Sequence, residues 1–181
     1  MRNISVRKTA VGGIAAAIVT VMMFFEGFVT VGQYTVPVIC GMIILSVSYV
    51  TGKKYALYAY AAASVLTMLF CADKEAVLCF IMYAGYYPVF RSVIEGVKSI
   101  ALRFIIKILH FDISAFVIYE ISISILGIPA DEFSVLGISI PIVFFAALNI
   151  AFIVYDIMLD RFEKRFRKVI IKSADSIFGK N

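Results

Sequence analysis

Six apolar segments, each long enough to cross most of a lipid bilayer, follow one another along this chain with only short charged breaks between them. The first covers Thr9–Val29 and is preceded by Arg2, Arg7 and Lys8. The second covers Thr35–Thr51 and ends at Gly52-Lys53-Lys54; the third covers Tyr55–Cys71. A fourth runs from Glu75 to about Phe90, a fifth over Phe104–Leu126 before Gly127-Ile128-Pro129, and a sixth over Val135–Leu159. Hydrophobic residues make up 62% of the sequence and charged residues 16%, with a mean hydropathy of +0.99. A soluble domain carries about a quarter charged residues. The pattern therefore predicts an all-α integral membrane protein: a multi-pass bundle of six transmembrane helices in the cell membrane.

Orientation follows from the basic residues. With both termini cytoplasmic, every lysine and arginine except Lys74 falls on the inner side, as the positive-inside rule requires. Glu26, Asp73, Glu75, Asp131 and Glu132 then lie on the outer side, and Gln33 and Tyr34 belong to the loop after the first segment. Residues 91–103, where Val93, Ile94, Val97, Ile100 and Ala101 recur at helical spacing, read as a helix in the cytoplasmic interface. The chain divides into a transmembrane domain, residues 1–160, and a cytoplasmic basic amphipathic tail, residues 161–181. In the tail Arg161, Lys164, Arg165, Arg167, Lys168 and Lys172 alternate with Phe162, Phe166, Val169, Ile170 and Ile177, which suits anionic lipid or a cytoplasmic partner.

The fourth segment is short and polar on one face. About 15 residues separate Glu75 from Arg91, roughly 22 Å of helix against ~30 Å of hydrocarbon. Glu75, Cys79, Tyr83 and Tyr86 or Tyr87 share that face. Tyr83 is a pocket candidate, while Tyr86 and Tyr87 read as belt aromatics or ligand contacts. Glu120 is set too deep in the fifth segment to reach water easily, so it either binds a polar or cationic ligand group or bonds a neighbouring helix. Asn149 either joins helices or touches a ligand. His110 and Asp112 suit a local structural role or proton handling; Lys107 and Arg103 can snorkel, and Asp156 and Asp160 read as surface ion-pair members. Cys40, Cys71 and Cys79 behave as small hydrophobes, a Cys71–Cys79 bridge being the alternative.

A single histidine excludes HExxH and paired-histidine metal sites, and no GxSxG, GxGxxG or Walker loop is present. The chain is expected to be no enzyme, with neither metal nor cofactor and no nucleic-acid partner. In the first segment Gly12 precedes Ala16, and Gly13 precedes Ala17, by four residues. Such a ridge of small residues packs within the monomer or admits another subunit.

In its size, its six segments, the opening Arg7-Lys8-Thr9-Ala10 and the alanine-rich first segment, the chain resembles the substrate-binding S components of energy-coupling factor transporters. Lys74-Glu75-Ala76 and Gly85-Tyr86-Tyr87-Pro88 look like pieces of small bacterial proteins grouped with that family. The resemblance implies capture of a vitamin or precursor near the outer face, then docking on a transmembrane T component driven by two cytoplasmic ATPases. It places Glu75, Tyr83, Glu120 and Asn149 at the substrate with Lys74 at the mouth, and Tyr87 is added to them as a substrate-binding candidate. Gly12, Gly13, Ala16 and Ala17 take the place of the family's AxxxA docking pattern. The alternative is a structural or regulatory membrane scaffold that transports nothing.

Overall fold

A computed structural model describes residues 2–28, 34–129 and 141–178. Asp131, Glu132 and Gln33 lie outside them, as does the start of the expected sixth segment. The helices are α1 (Arg2–Glu26), α2 (Thr35–Thr51), α3 (Lys53–Phe70), α4 (Lys74–Cys79), a π-helical turn (Phe80–Ala84), α5 (Tyr87–Ile94), α6 (Ile100–Ser124) and α7 (Pro141–Phe178). The all-α expectation holds. The chain forms two units: Met1–Phe90 with Leu159–Asn181, and Arg91–Met158.

In the first unit α1, α2 and α3 pack on one another, and α4 with the π turn packs on α2. The inward face of α1 carries Gly12, Ala16, Val19 and Met23 at helical spacing, all buried. Alanines do the same on α3, at positions 56, 59 and 63. Small residues on facing helices bring the backbones close: a Cβ on Gly12 would lie 3.6 Å from the Ala59 Cβ. α1 and α3 run parallel, so Ser5 meets Tyr55 at their shared start. At their shared end a Cβ on Gly27 would meet Ala72 and the Asp73 backbone. Gly52 alone joins α2 to α3, at φ +98°, a left-handed backbone that other residues adopt only with strain.

The π turn is built around Gly85. Its N–H donates to the Phe80 carbonyl at 2.8 Å, the i→i+5 bond that defines the turn. Tyr60 of α3 donates to the Ile81 carbonyl at 2.5 Å, and its ring packs on Phe80 and Tyr86. A Cβ on Gly85 would fall 2.8 Å from the Phe80 carbonyl oxygen and from the Tyr60 ring. Gly85→Ala is therefore expected to cost about 1–3 kcal/mol, whereas Gly13→Ala, with nothing near its Cβ, costs nothing. Urea midpoints of the two variants check this; equal shifts would mean the turn tolerates a side chain.

In the second unit α6 and the first half of α7 are joined by stacked Phe111 and Phe152, centroids 4.8 Å apart, and by Tyr119 against Phe145. The helix expected over residues 91–103 is not continuous. α5 ends at Ile94, Gly96 follows, and Ser99 caps α6 by accepting from the Leu102 N–H.

The six-span expectation, and the multi-pass localisation with it, are corrected. Among the described residues two helical stretches, Ile4–Glu26 and Lys74–Ile94, are long and apolar enough to cross a membrane, and Thr35–Thr51 is a shorter apolar helix. α3 is diluted by Lys53, Lys54 and three tyrosines, and α6 carries Arg103, Lys107, Asp112 and Glu120 along its length. Lys74–Ile94 is itself more than half buried by its own protein.

Candidate functional site

Of the residues assigned to a substrate, Lys74, Glu75, Tyr83, Tyr87 and Asn149 have contacts within the fold. Asp73 caps α4, accepting from the N–H groups of Glu75 and Ala76 at 3.0 Å each. The Lys74 ammonium donates to the carbonyls of Met68 and Cys71, 2.8 Å each, closing the end of α3. Tyr34 donates its hydroxyl to the Glu75 carboxylate. Burial first, and Glu75 second, push the Tyr34 phenol up. Tyr83 and Tyr87 are buried and stack on each other at 4.6 Å.

Glu120 is on an exposed face of α6, beside Phe116, which is 55% exposed. Asn149 donates to the Asp112 carboxylate at 2.8 Å and to the Phe145 carbonyl at 3.0 Å, joining α7 to α6. Half-buried His110 is held below the ordinary imidazole range by burial, and its carbonyl accepts from Ser114. The three cysteines are free thiols; burial pushes Cys40 and Cys79 up to about 12 each.

Charge is buried in two places that the sequence did not mark as buried. Within the second unit, Arg91 and Lys107 are buried and share the carboxylates of Glu95 and Asp156. Arg91 meets Glu95 at 2.7 Å and Asp156 at 2.9 Å, while Lys107 meets Asp156 at 2.8 Å and Glu95 at 3.4 Å. Their side chains are 5% and 10% exposed, too little for Lys107 to snorkel. The Arg91–Glu95 spacing of four was legible; the pairing across helices was not. In the first unit Glu26 is 4% exposed, and its Oε2 has no hydrogen-bond partner among the described residues. Burial, with Asp73 adding to it, raises its carboxyl to about 7. Glu26 continues the inward register of Gly12, Ala16, Val19 and Met23, which was the available sign that it is buried.

The ridge on α1 divides. Gly12 and Ala16 are buried on the face that packs α3, while Gly13 and Ala17 are exposed. Beside Gly13 a cleft of about 260 Å³ opens between α1 and α3, lined by Lys8, Thr9, Gly12, Gly13, Tyr55, Tyr58, Ala59 and Ala62. The Lys8 ammonium stands 5.6 Å from the Tyr55 ring centroid. At the same end of the unit the Arg167 guanidinium stands 5.6 Å from the ring of Tyr49, near the close of α2.

No protein-family model, curated protein or solved structure matches the chain. The resemblance to energy-coupling factor S components is thereby corrected. Lys74 closes the end of α3, and Tyr86 and Tyr87 pack on other aromatic rings. Two helical stretches among the described residues, rather than six, are long and apolar enough to cross a membrane, and Arg91 and Lys107 are buried in an ion-pair network.

Proposed function

We propose that this is a non-catalytic helical protein that attaches peripherally to anionic lipid surfaces through residues 161–172 of α7. The observation that carries the reading is the exposure of that segment. Arg161, Lys164, Arg165, Arg167, Lys168 and Lys172 are all exposed, as are Phe166 at 44% and Val169 at 59%. Arg161, Arg165, Lys168 and Lys172 repeat at i, i+4, i+7 and i+11, one basic face of the helix; Phe162, Phe166, Val169 and Ile170 form an apolar face beside it. A helix so divided lies flat at an interface, with its apolar side in the headgroup boundary and its cations among phosphates. Lys164 pairs with Asp160 at 2.6 Å, an exposed contact that releases easily to a lipid phosphate.

Each lysine or arginine at such a surface contributes about 1 kcal/mol. Arg161, Arg165 and Lys168 replaced together by glutamine are therefore expected to weaken binding to phosphatidylglycerol-containing vesicles about 100-fold. Flotation at low and high salt measures this. Equal recovery with purely zwitterionic vesicles, or no loss in the triple variant, would sink the reading.

A further inference from the structure

We infer that the cleft between α1 and α3 holds one acyl chain of an anionic phospholipid, with the headgroup against Lys8, Lys53 and Lys54. This deepens the lipid-surface reading and rests on it.

The shape comes from the sequence. Gly12 and Gly13 withhold side chains from α1 where Ala59 and Ala62 withhold bulk from α3, so the two parallel helices leave a trough instead of closing it. Tyr55 and Tyr58 stand along it as walls. At about 260 Å³ the trough has room for roughly eight or nine groups of water size, ~30 Å³ each. Methylenes are of that size, so the space suits the upper part of one acyl chain. Gly13 is the open side: a Cβ there would touch nothing within 4 Å.

The charge at the mouth selects the occupant. Lys8 lines the trough, and Lys53 and Lys54 begin the helix that forms its other wall. Lys53 and Lys54 are exposed, and none of the three lysines has an ion-pair partner among the described residues. The carboxylates of this unit's far end, Glu26, Asp73 and Glu75, lie where α1 and α3 finish. An apolar trough opening on unpaired ammonium groups fits a molecule with an anionic head and an apolar tail. Arg167 of the basic segment reaches Tyr49 at this same end. The surface the segment binds is therefore the one that presents such molecules to the trough.

The test uses the full chain, which contains no tryptophan. Tyr58→Trp places a reporter at the trough, and the probe is phosphatidylglycerol brominated in its acyl chain, presented in detergent mixed micelles. Quenching should exceed that by brominated phosphatidylcholine, and Lys8→Gln should weaken the preference about fivefold. Gly13→Leu, which enters open space and removes a helical glycine, should fold normally and reduce quenching at least tenfold.

If Gly13→Leu leaves quenching intact while the triple glutamine variant still loses vesicles, the trough is empty and the surface reading survives. If vesicle binding fails but micellar quenching keeps its dependence on Lys8 and Gly13, the trough assignment stands without the surface. Displacement of the brominated lipid by decanoate at equal concentration would overturn the phospholipid assignment in favour of a simple carboxylate amphiphile.

Discussion

Asp156→Ala is expected to destabilise the second unit by about 3–5 kcal/mol, the largest loss of any single substitution considered for this protein. Asp156 sits between Arg91 and Lys107, taking one through Oδ1 and the other through Oδ2. Its removal takes from buried Arg91 and Lys107 one of the two carboxylates they share, leaving that of half-buried Glu95. The cost is mainly that of charge stranded away from water rather than of two lost hydrogen bonds. The control is Asp160→Ala, four residues on, whose contact to Lys164 is exposed and worth well under 1 kcal/mol. Urea unfolding at matched salt measures both. If Asp156→Ala shifted the midpoint no more than Asp160→Ala, the network would be decoration on a unit held by Phe111 and Phe152 alone.

Glu26→Gln should have the opposite sign and depend on pH. The Glu26 carboxyl titrates at about 7 in the folded chain, against an ordinary 4.5. Between those values the folded protein keeps a proton that the unfolded chain has released, so stability falls as pH rises through the window. The penalty is complete above about pH 7 and absent below about pH 4.5. A difference of this size corresponds to roughly 3 kcal/mol. Glutamine cannot ionise, so at pH 8 the variant should be the more stable by about 1–3 kcal/mol, and at pH 4.5 the two should coincide. Cys40 and Cys79, raised to about 12, stay protonated throughout and do not blur the comparison. Thermal midpoints at the two pH values decide it; the same offset at both would mean Glu26 does not carry the titration.

How much of this was legible can be argued from individual residues. Helix positions in the first unit were plain, because the charge-free runs between Lys8, Glu26 and Lys53 leave little choice of where helices begin and end. Apolarity alone, however, does not say whether a helix faces lipid or its own neighbours. The stretch from Lys74 to Ile94 passes the test for a crossing segment while being wrapped mostly by protein. The π turn at Phe80–Ala84 is invisible to a 3.6-residue period, although the spacing of four that stacks Tyr83 on Tyr87 was legible. The structure leaves Glu120 exposed on α6, where the sequence suggested depth. Depth was inferred from distance along a presumed span, and α6, once it carries Lys107 and Asp112 as well, need not be such a span. Arg91, Lys107 and Asp156 were each seen, but separately. No one-dimensional pattern brings residues 91, 107 and 156 together.

The parallel course of α1 and α3 has a further consequence. It gathers Arg7, Lys8, Lys53 and Lys54 where these helices start, and Asp73 and Glu75, offset in part by Lys74, where they stop. A rod with opposite signs at its tips feels a torque near a charged sheet, within a range set by the ~10 Å Debye length at 0.1 M salt. The first unit would thus be turned, lysines leading, before any side chain touched down, and raising the ionic strength would slow arrival more than it hastened departure.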